Sequence, residues 1–173
     1  DGESNADWAV TVSDFLAESG AGPELITVAM PAGPTRMRDY LPPNPGGEAG
    51  TSGQADRFLE HLRSELIPFV EANYRAAPLR LLSGHSMGGV FVTHAMFSEP
   101  SIFDAYLAQS PYLTAAIGTP LLDHAETALT EGRGPRDPGV FYFANLGTEP
   151  ELLPNFERLE ALRARQLSSE SQT

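Results

Sequence analysis

The 173-residue chain predicts an α/β fold, a parallel sheet packed between helices as a three-layer sandwich. Two observations carry that prediction. Short β-branched, apolar runs alternate with longer runs whose apolar residues recur at three- and four-residue steps, and one strand-to-helix junction, Gly84-His85-Ser86-Met87-Gly88-Gly89, is rich in glycine. Strands that alternate with helices on this scale need right-handed crossovers, and therefore run parallel. At this length one core is expected, with residues 1–173 forming a single domain.

In chain order, the first strand is expected over Glu24-Leu25-Ile26-Thr27-Val28-Ala29-Met30, between Gly22-Pro23 and Pro31; an apolar run of this kind suits a strand buried on both faces. Met37 to Gly53 reads as a long surface loop, because Leu41-Pro42-Pro43-Asn44-Pro45-Gly46-Gly47 suits neither a helix nor a central strand. From Ala55 to Tyr74 the spacing of Phe58, Leu62, Leu66, Phe69, Val70 and Tyr74 predicts an amphipathic helix disturbed at Pro68. Pro78 to Ser83 is the second strand, and a helix through Val90, Phe91, Ala95 and Phe97 follows the glycine-rich junction. Phe103 to Gln109 gives a third strand, Leu121 to Leu129 a helix, Gly139 to Asn145 a fourth strand, and Phe156, Leu159, Leu162 and Leu167 a closing amphipathic helix. The order is βαβαβαβα, and Ser168 to Thr173 reads as a frayed polar tail.

Composition narrows the function. Asp and Glu number 23 against 11 basic residues, all of them Arg, for a formal charge of -12. A nucleic-acid binder or a polybasic membrane-surface protein is excluded on that balance. The absence of cysteine removes thiolate nucleophiles, disulfide frameworks and cysteine metal sites. No stretch approaches the ~20 apolar residues of a membrane span, and the compartment stays open. The first residues, Asp-Gly-Glu-Ser, carry neither Met nor a basic region, so residues upstream are expected.

The chemistry lies at Gly84-His85-Ser86-Met87-Gly88, a G-x-S-x-G motif between a strand and a helix. A one-residue reversal there lifts a serine Oγ above the strand ends and forces Ser86 into a disfavoured backbone conformation, so its neighbours must be small. The following helix offers unbonded N–H groups, of which Met87 N–H would face an oxyanion. A phosphate-binding loop would need a Lys, which the chain lacks, and a dinucleotide fingerprint a third glycine and a downstream acid.

Beyond the motif, Phe58-Leu59-Glu60 through Glu65-Leu66-Ile67-Pro68-Phe69-Val70, then Asn73-Tyr74-Arg75, Gly84 to Gly89, and Gln109-Ser110-Pro111 resemble the esterase branch of the α/β-hydrolases. That branch holds the enterochelin (siderophore trilactone) esterases, esterase D, feruloyl and acetyl-xylan esterases and the mycolyltransferases. The resemblance covers nearly the whole chain, and Arg36-Met37-Arg38-Asp39-Tyr40-Leu41-Pro42 is similar to the arginine-bearing loop of the siderophore-esterase group. It implies a partial α/β-hydrolase fold and a serine carboxyl-ester hydrolase that forms an acyl-enzyme on Ser86. The implied substrate is a small-molecule ester, a siderophore ester or an acyl sugar, and no metal or organic cofactor is implied. Met87 N–H and Gly2 or Glu3 N–H would form the oxyanion hole, Glu151 or Glu149 would be the acid, with Glu151 favoured, and Arg36 and Arg38 would contact substrate. Two solvated loop acids and a salt-bridged arginine anchor are the plainer readings of those last four residues.

The pattern departs from the family at the histidine. The resemblance implies a triad whose imidazole lies beyond the acid in the chain, and no histidine follows His124. His61, His85, His94 and His124 read as structural or surface residues, so the strands before Asp1 and the histidine-bearing segment are expected outside this chain. Sheet edges without their neighbours would then be apolar and favour self-association. Two other functions stay open: an acyltransferase using the same intermediate, and a non-catalytic hydrolase fold that binds a ligand.

Overall fold

The computed structural model describes residues 2–30, 33–133 and 140–170. It consists of two compact units, Asp1–Thr35 and Arg36–Thr173. In the larger unit, three short runs find each other as a parallel sheet: β1 (Leu81–His85), β2 (Ala105–Gln109) and β3 (Phe141–Asn145), in the spatial order β1-β2-β3. The register is regular, with Leu82 opposite Tyr106 and Tyr106 opposite Tyr142. All three strands therefore end at one edge, where His85, Gln109 and Asn145 stand side by side.

Helices close the crossovers: α5 (Met87–Ser98) joins β1 to β2, α6 (Ala115–Thr130) precedes β3, and α7 (Leu153–Glu170) follows it. Every residue of α5 from Met87 to Phe97 is buried, as expected of a helix that is apolar all round. It packs on β1, β2 and α6. The sheet face it covers carries Leu82, Tyr106 and Ala108, all buried. Tyr142 lies on that face too, its hydroxyl 3.5 Å from Thr93 Oγ1 and its ring under the Arg163 guanidinium at 4.4 Å. Burial pushes this phenol up to about 12, so it stays protonated. On the alternate face Leu81, Phe141 and Phe143 are exposed.

Two shorter elements, α2 (Arg36–Tyr40) and α3 (Ala55–His61), pack on each other and on α5. Tyr40 stacks with Phe91 at 5.8 Å and Phe58 lies 5.0 Å from Phe91, measured between ring centroids. Beyond α3 the backbone widens into a π-turn over Leu62–Leu66 and then continues as α4 (Ile67–Asn73). Pro68 explains the disturbance, having no N–H for the carbonyl one turn earlier and a ring that crowds it.

The smaller unit corrects the expected first strand. Residues 23–30 belong to no helix or strand, and Leu25, Ile26 and Val28 are exposed. Strand propensity becomes a strand only where a neighbouring edge supplies ladder hydrogen bonds, and β1, β2 and β3 form a sheet without this run. The unit's regular element is instead α1 (Gly2–Glu18), closed by Gly20 at φ 72° with Ala21 and Gly22 N–H both donating to Leu16 O. Elsewhere, α6 starts six residues before the expected Leu121, and α7 continues through Ser168 to Glu170. Asp1, Pro31, Gly139 and residues 171–173 lie outside the described residues.

At the far end of α5, buried His94 shares a 2.8 Å bond between its Nε2 and Asp56 Oδ1, while Ser98 Oγ lies 3.4 Å from His124 Nε2. His124 is held below its ordinary value, by burial first and then by His94 and Arg133, against the opposing pull of Asp56 and Glu131. The unfolded chain thus binds that proton more readily, and the His124 contribution to stability is complete above about pH 6.5 and is lost as pH falls below it. Urea unfolding between pH 7 and pH 5 should show a shallower loss of stability in His124→Gln than in the wild type. Identical slopes would contradict this placement of His124.

Candidate active site

A strand that hands over to a helix within one residue forces that residue out of the usual basins. Ser86 adopts φ 56°, ψ −114°, a conformation that costs an L-residue on the order of 1–3 kcal/mol. The turn closes because its neighbours lack side chains. A Cβ on Gly84 would run into the backbone of Gly88, and one on Gly89 would come within 2.9 Å of Pro111 Cα.

Both backbone groups of Ser86 are held from the exit of β2. Its N–H donates to Gln109 O at 2.9 Å, and its carbonyl accepts from Tyr112 N–H at 3.2 Å as well as from Val90 N–H at 3.1 Å in α5. The side chain is left over. Ser86 is the N-cap of α5 yet makes no capping bond, and among the described residues no hydrogen bond reaches its Oγ. The N–H groups of Met87, Gly88 and Gly89 have no acceptor inside the helix, so negative charge developing beside Ser86 Oγ would meet the positive end of α5. A hydroxyl in this position can attack a carbonyl once a base removes its proton.

The candidate acids share the carboxyl edge of the sheet with Ser86. Residues 146–152 leave β3 there, and Glu149 and Glu151 are both exposed on them. Glu149 O accepts Leu152 N–H at 3.1 Å, and the Glu149 carboxyl lies against Gly147, where a Cβ would collide with it. Glu151 occupies the turn immediately before α7.

Three of the four histidines are paired with other side chains. His61 pairs with Glu65 at 3.3 Å, His94 with Asp56, and His124 with Ser98. His85 is exposed on the sheet row that also carries Gln109 and Asn145. A cavity of about 200 Å³ lined by Asp56, Arg63, Ser98, Glu99, His124 and Arg133 belongs to that remote cluster. Ser98 is twelve residues along α5 from Ser86, about 18 Å. Among the described residues no group of His, Asp and Glu could hold a metal ion.

Arg36 and Arg38 stand on α2 rather than on a loop. Arg38 is tied to Asp39 by two bonds, 2.7 Å from Nε and 3.2 Å from its terminal nitrogen, which matches the anchored reading of this residue. Gly2 opens α1 of the smaller unit, where its N–H lacks a partner within the helix. Ser110, within the Gln109-Ser110-Pro111 run, and Asn145 carry no expected site role in the sequence, although polar residues closing successive parallel strands lie where open α/β sheets place their ligands. Ser110 has φ 41° and joins the exits of β2 and β3.

Comparison with known proteins places the chain in a family. The profile of the family described as "Putative esterase" matches residues 1–170. A siderophore triacetylfusarinine C esterase of Aspergillus fumigatus is 38% identical over 78 residues, 44% of this chain and 26% of that protein. A siderophore enterobactin esterase of Emericella nidulans is 45% identical over 78 residues, 42% of this chain and 26% of that protein. The BES protein of Bacillus cereus has a similar fold, with a TM-score of 0.66 at 24% identity over 93% of this chain and 67% of that one. The matches thus span about a quarter of those curated relatives.

The turn makes opposite demands on two nearby glycines. Gly84→Ala should destabilise the protein by about 1–3 kcal/mol through overpacking, read as a lower urea midpoint. Gly88→Ala, with open space around the added Cβ, should be neutral or stabilising by up to about 1 kcal/mol as a helix substitution. Equal tolerance at both positions would contradict the contact across the turn.

Proposed function

Because the chain belongs to the family described as "Putative esterase", we propose that it is a serine carboxyl-ester hydrolase working through an acyl-enzyme on Ser86. The observation that carries this reading is the Ser86 turn: a strained residue at the carboxyl edge of the sheet, its backbone fully bonded and its Oγ uncommitted. In the proposed cycle Ser86 Oγ bonds to the ester carbonyl carbon as its proton passes to an imidazole. The carbonyl oxygen takes the charge toward Met87 N–H. The imidazolium then returns the proton to the departing alcohol, and water releases the acid by the same steps in reverse.

The positions of His61, His85, His94 and His124 support an imidazole supplied from outside these 173 residues, oriented by Glu151 or Glu149. The share of each relative that is matched fits a catalytic domain continuing beyond this segment. A siderophore ester is the proposed substrate, on the strength of what the relatives are named for. Arg36 and Arg38 would meet its anionic groups, Arg38 by sharing its guanidinium between Asp39 and substrate. Hydrolysis rather than acyl transfer is favoured, since the matched relatives are named esterases.

Ser86 should be the serine that takes the acyl group. In the protein that carries the imidazole, with a siderophore ester and with p-nitrophenyl butyrate, Ser86→Ala should lower turnover by several orders of magnitude while leaving the unfolding midpoint in place. Turnover in Ser86→Ala equal to the wild type would move the chemistry elsewhere.

A further inference from the structure

The two strained serines of the larger unit are joined through four residues. Ser86 and Ser110 are the described non-glycine residues with positive φ, at 56° and 41°. Between them, Gln109 O holds Ser86 N–H, and just beyond, Tyr112 N–H holds Ser86 O. Ser110 faces the other way. Its N–H donates to both Asn145 O at 3.0 Å and Asn145 Oδ1 at 3.1 Å, and its Oγ accepts Gly147 N–H at 3.0 Å. Residues 109–112 thus grip the nucleophile turn with one set of bonds and the start of the acid-bearing segment with another.

Packing alone does not account for this arrangement. Ser110 is only partly buried, and a left-handed conformation costs a serine roughly 1–2 kcal/mol that a glycine would not incur. What a glycine would lack is the Oγ that fixes Gly147. The Glu149 carboxyl lies against that same Gly147, so the bond from Gly147 N–H to Ser110 Oγ places the backbone on which that carboxyl rests.

We infer that Ser110 is a positioning residue, holding through Gly147 the segment that carries the Glu149 carboxylate along the sheet edge it shares with Ser86. The inference rests on the proposed hydrolase reading and deepens it by selecting Glu149 as the orienting acid. The carboxylate receives the N–H of the imidazole whose other nitrogen takes the Ser86 proton. Losing the Ser110 bond keeps both carboxylates in the chain but frees the Gly147 amide beside which the Glu149 carboxyl lies.

Labelling by a fluorophosphonate tests this with free imidazole as the base. In that reaction the Ser86 Oγ–P bond forms, the P–F bond breaks, fluoride departs and the serine proton goes to imidazole. Intact mass and peptide mapping follow the adduct while imidazole is titrated. Ser110→Gly keeps the backbone relaxed and removes only the Oγ, so its unfolding midpoint should hold or rise. Its half-saturating imidazole concentration should rise about 5-fold, the worth of one hydrogen bond near 1 kcal/mol. Glu149→Gln should raise that concentration as well, and the double variant should add little, since the two act as one unit. A half-saturation in Ser110→Gly equal to the wild type, or fully multiplicative effects of the two substitutions, overturns the role of Ser110. A wild-type adduct on a residue other than Ser86 overturns the hydrolase reading itself. Should Ser110→Gly fail to fold, amide exchange in the wild type decides: protection of Gly147 supports the bond, and exchange at the rate of an open loop overturns it.

Discussion

The pair of backbone bonds between Ser86 and the exit of β2, one from its N–H to Gln109 O and one to its carbonyl from Tyr112 N–H, is the constraint on which the site depends. A serine at φ 56°, ψ −114° stores on the order of 1–3 kcal/mol, and two hydrogen bonds near ~1 kcal/mol each are of the right size to hold it. The buried length of α5 does the rest. With Met87 through Phe97 packed on the sheet, the helix cannot rotate to relax the turn without exposing its core. Strain at Ser86 is therefore maintained by contacts that extend along all of α5.

The two ends of α5 divide the labour. Its N-terminus carries the serine and unbonded N–H groups. Its C-terminal half is anchored by His94, which is buried and bonded to Asp56 at the start of α3. Truncating Asp56 would leave a buried imidazole without its partner, so this pair is a stability element and not a stray catalytic dyad. On the other side, α7 is fixed by Arg163 over Tyr142 and by Arg158 bonded to Asp123 and Glu126 of α6. Asn155 donates to the carbonyls of Leu113 and Thr114, linking the start of α7 to the loop that leaves the strained Ser110. The acid-bearing segment thus runs between two fixed ends, Gly147 and Asn155.

Legibility in the sequence followed how local each constraint was. The elbow could be read because its tightest steric demand acts within five residues and leaves glycines as its trace; a Cβ on Gly84 would meet the backbone of Gly88. The α7 helix was readable from period, and α5 from its place after the glycine-rich junction. Glu24 to Met30 has every local property of a strand, but a strand also needs a partner edge, and that information is not local. In α1, apolar residues such as Trp8 and Phe15 lie exposed, so no buried stripe marked the helix. Ser110 stands in a run the sequence marks, but its bonds reach residues 35 and 37 positions away, a pairing set by the register of β2 and β3 and not legible in that run.

The most direct test of the account is a crystal structure of the protein after fluorophosphonate treatment. The predicted result is phosphorus bonded to Ser86 Oγ, the turn still at positive φ, and the phosphoryl oxygen ~2.7–3.1 Å from Met87 N. Phosphorus bonded to another side chain, or a phosphoryl oxygen turned away from the N-terminus of α5, would contradict the claim that this turn is built to present a nucleophile.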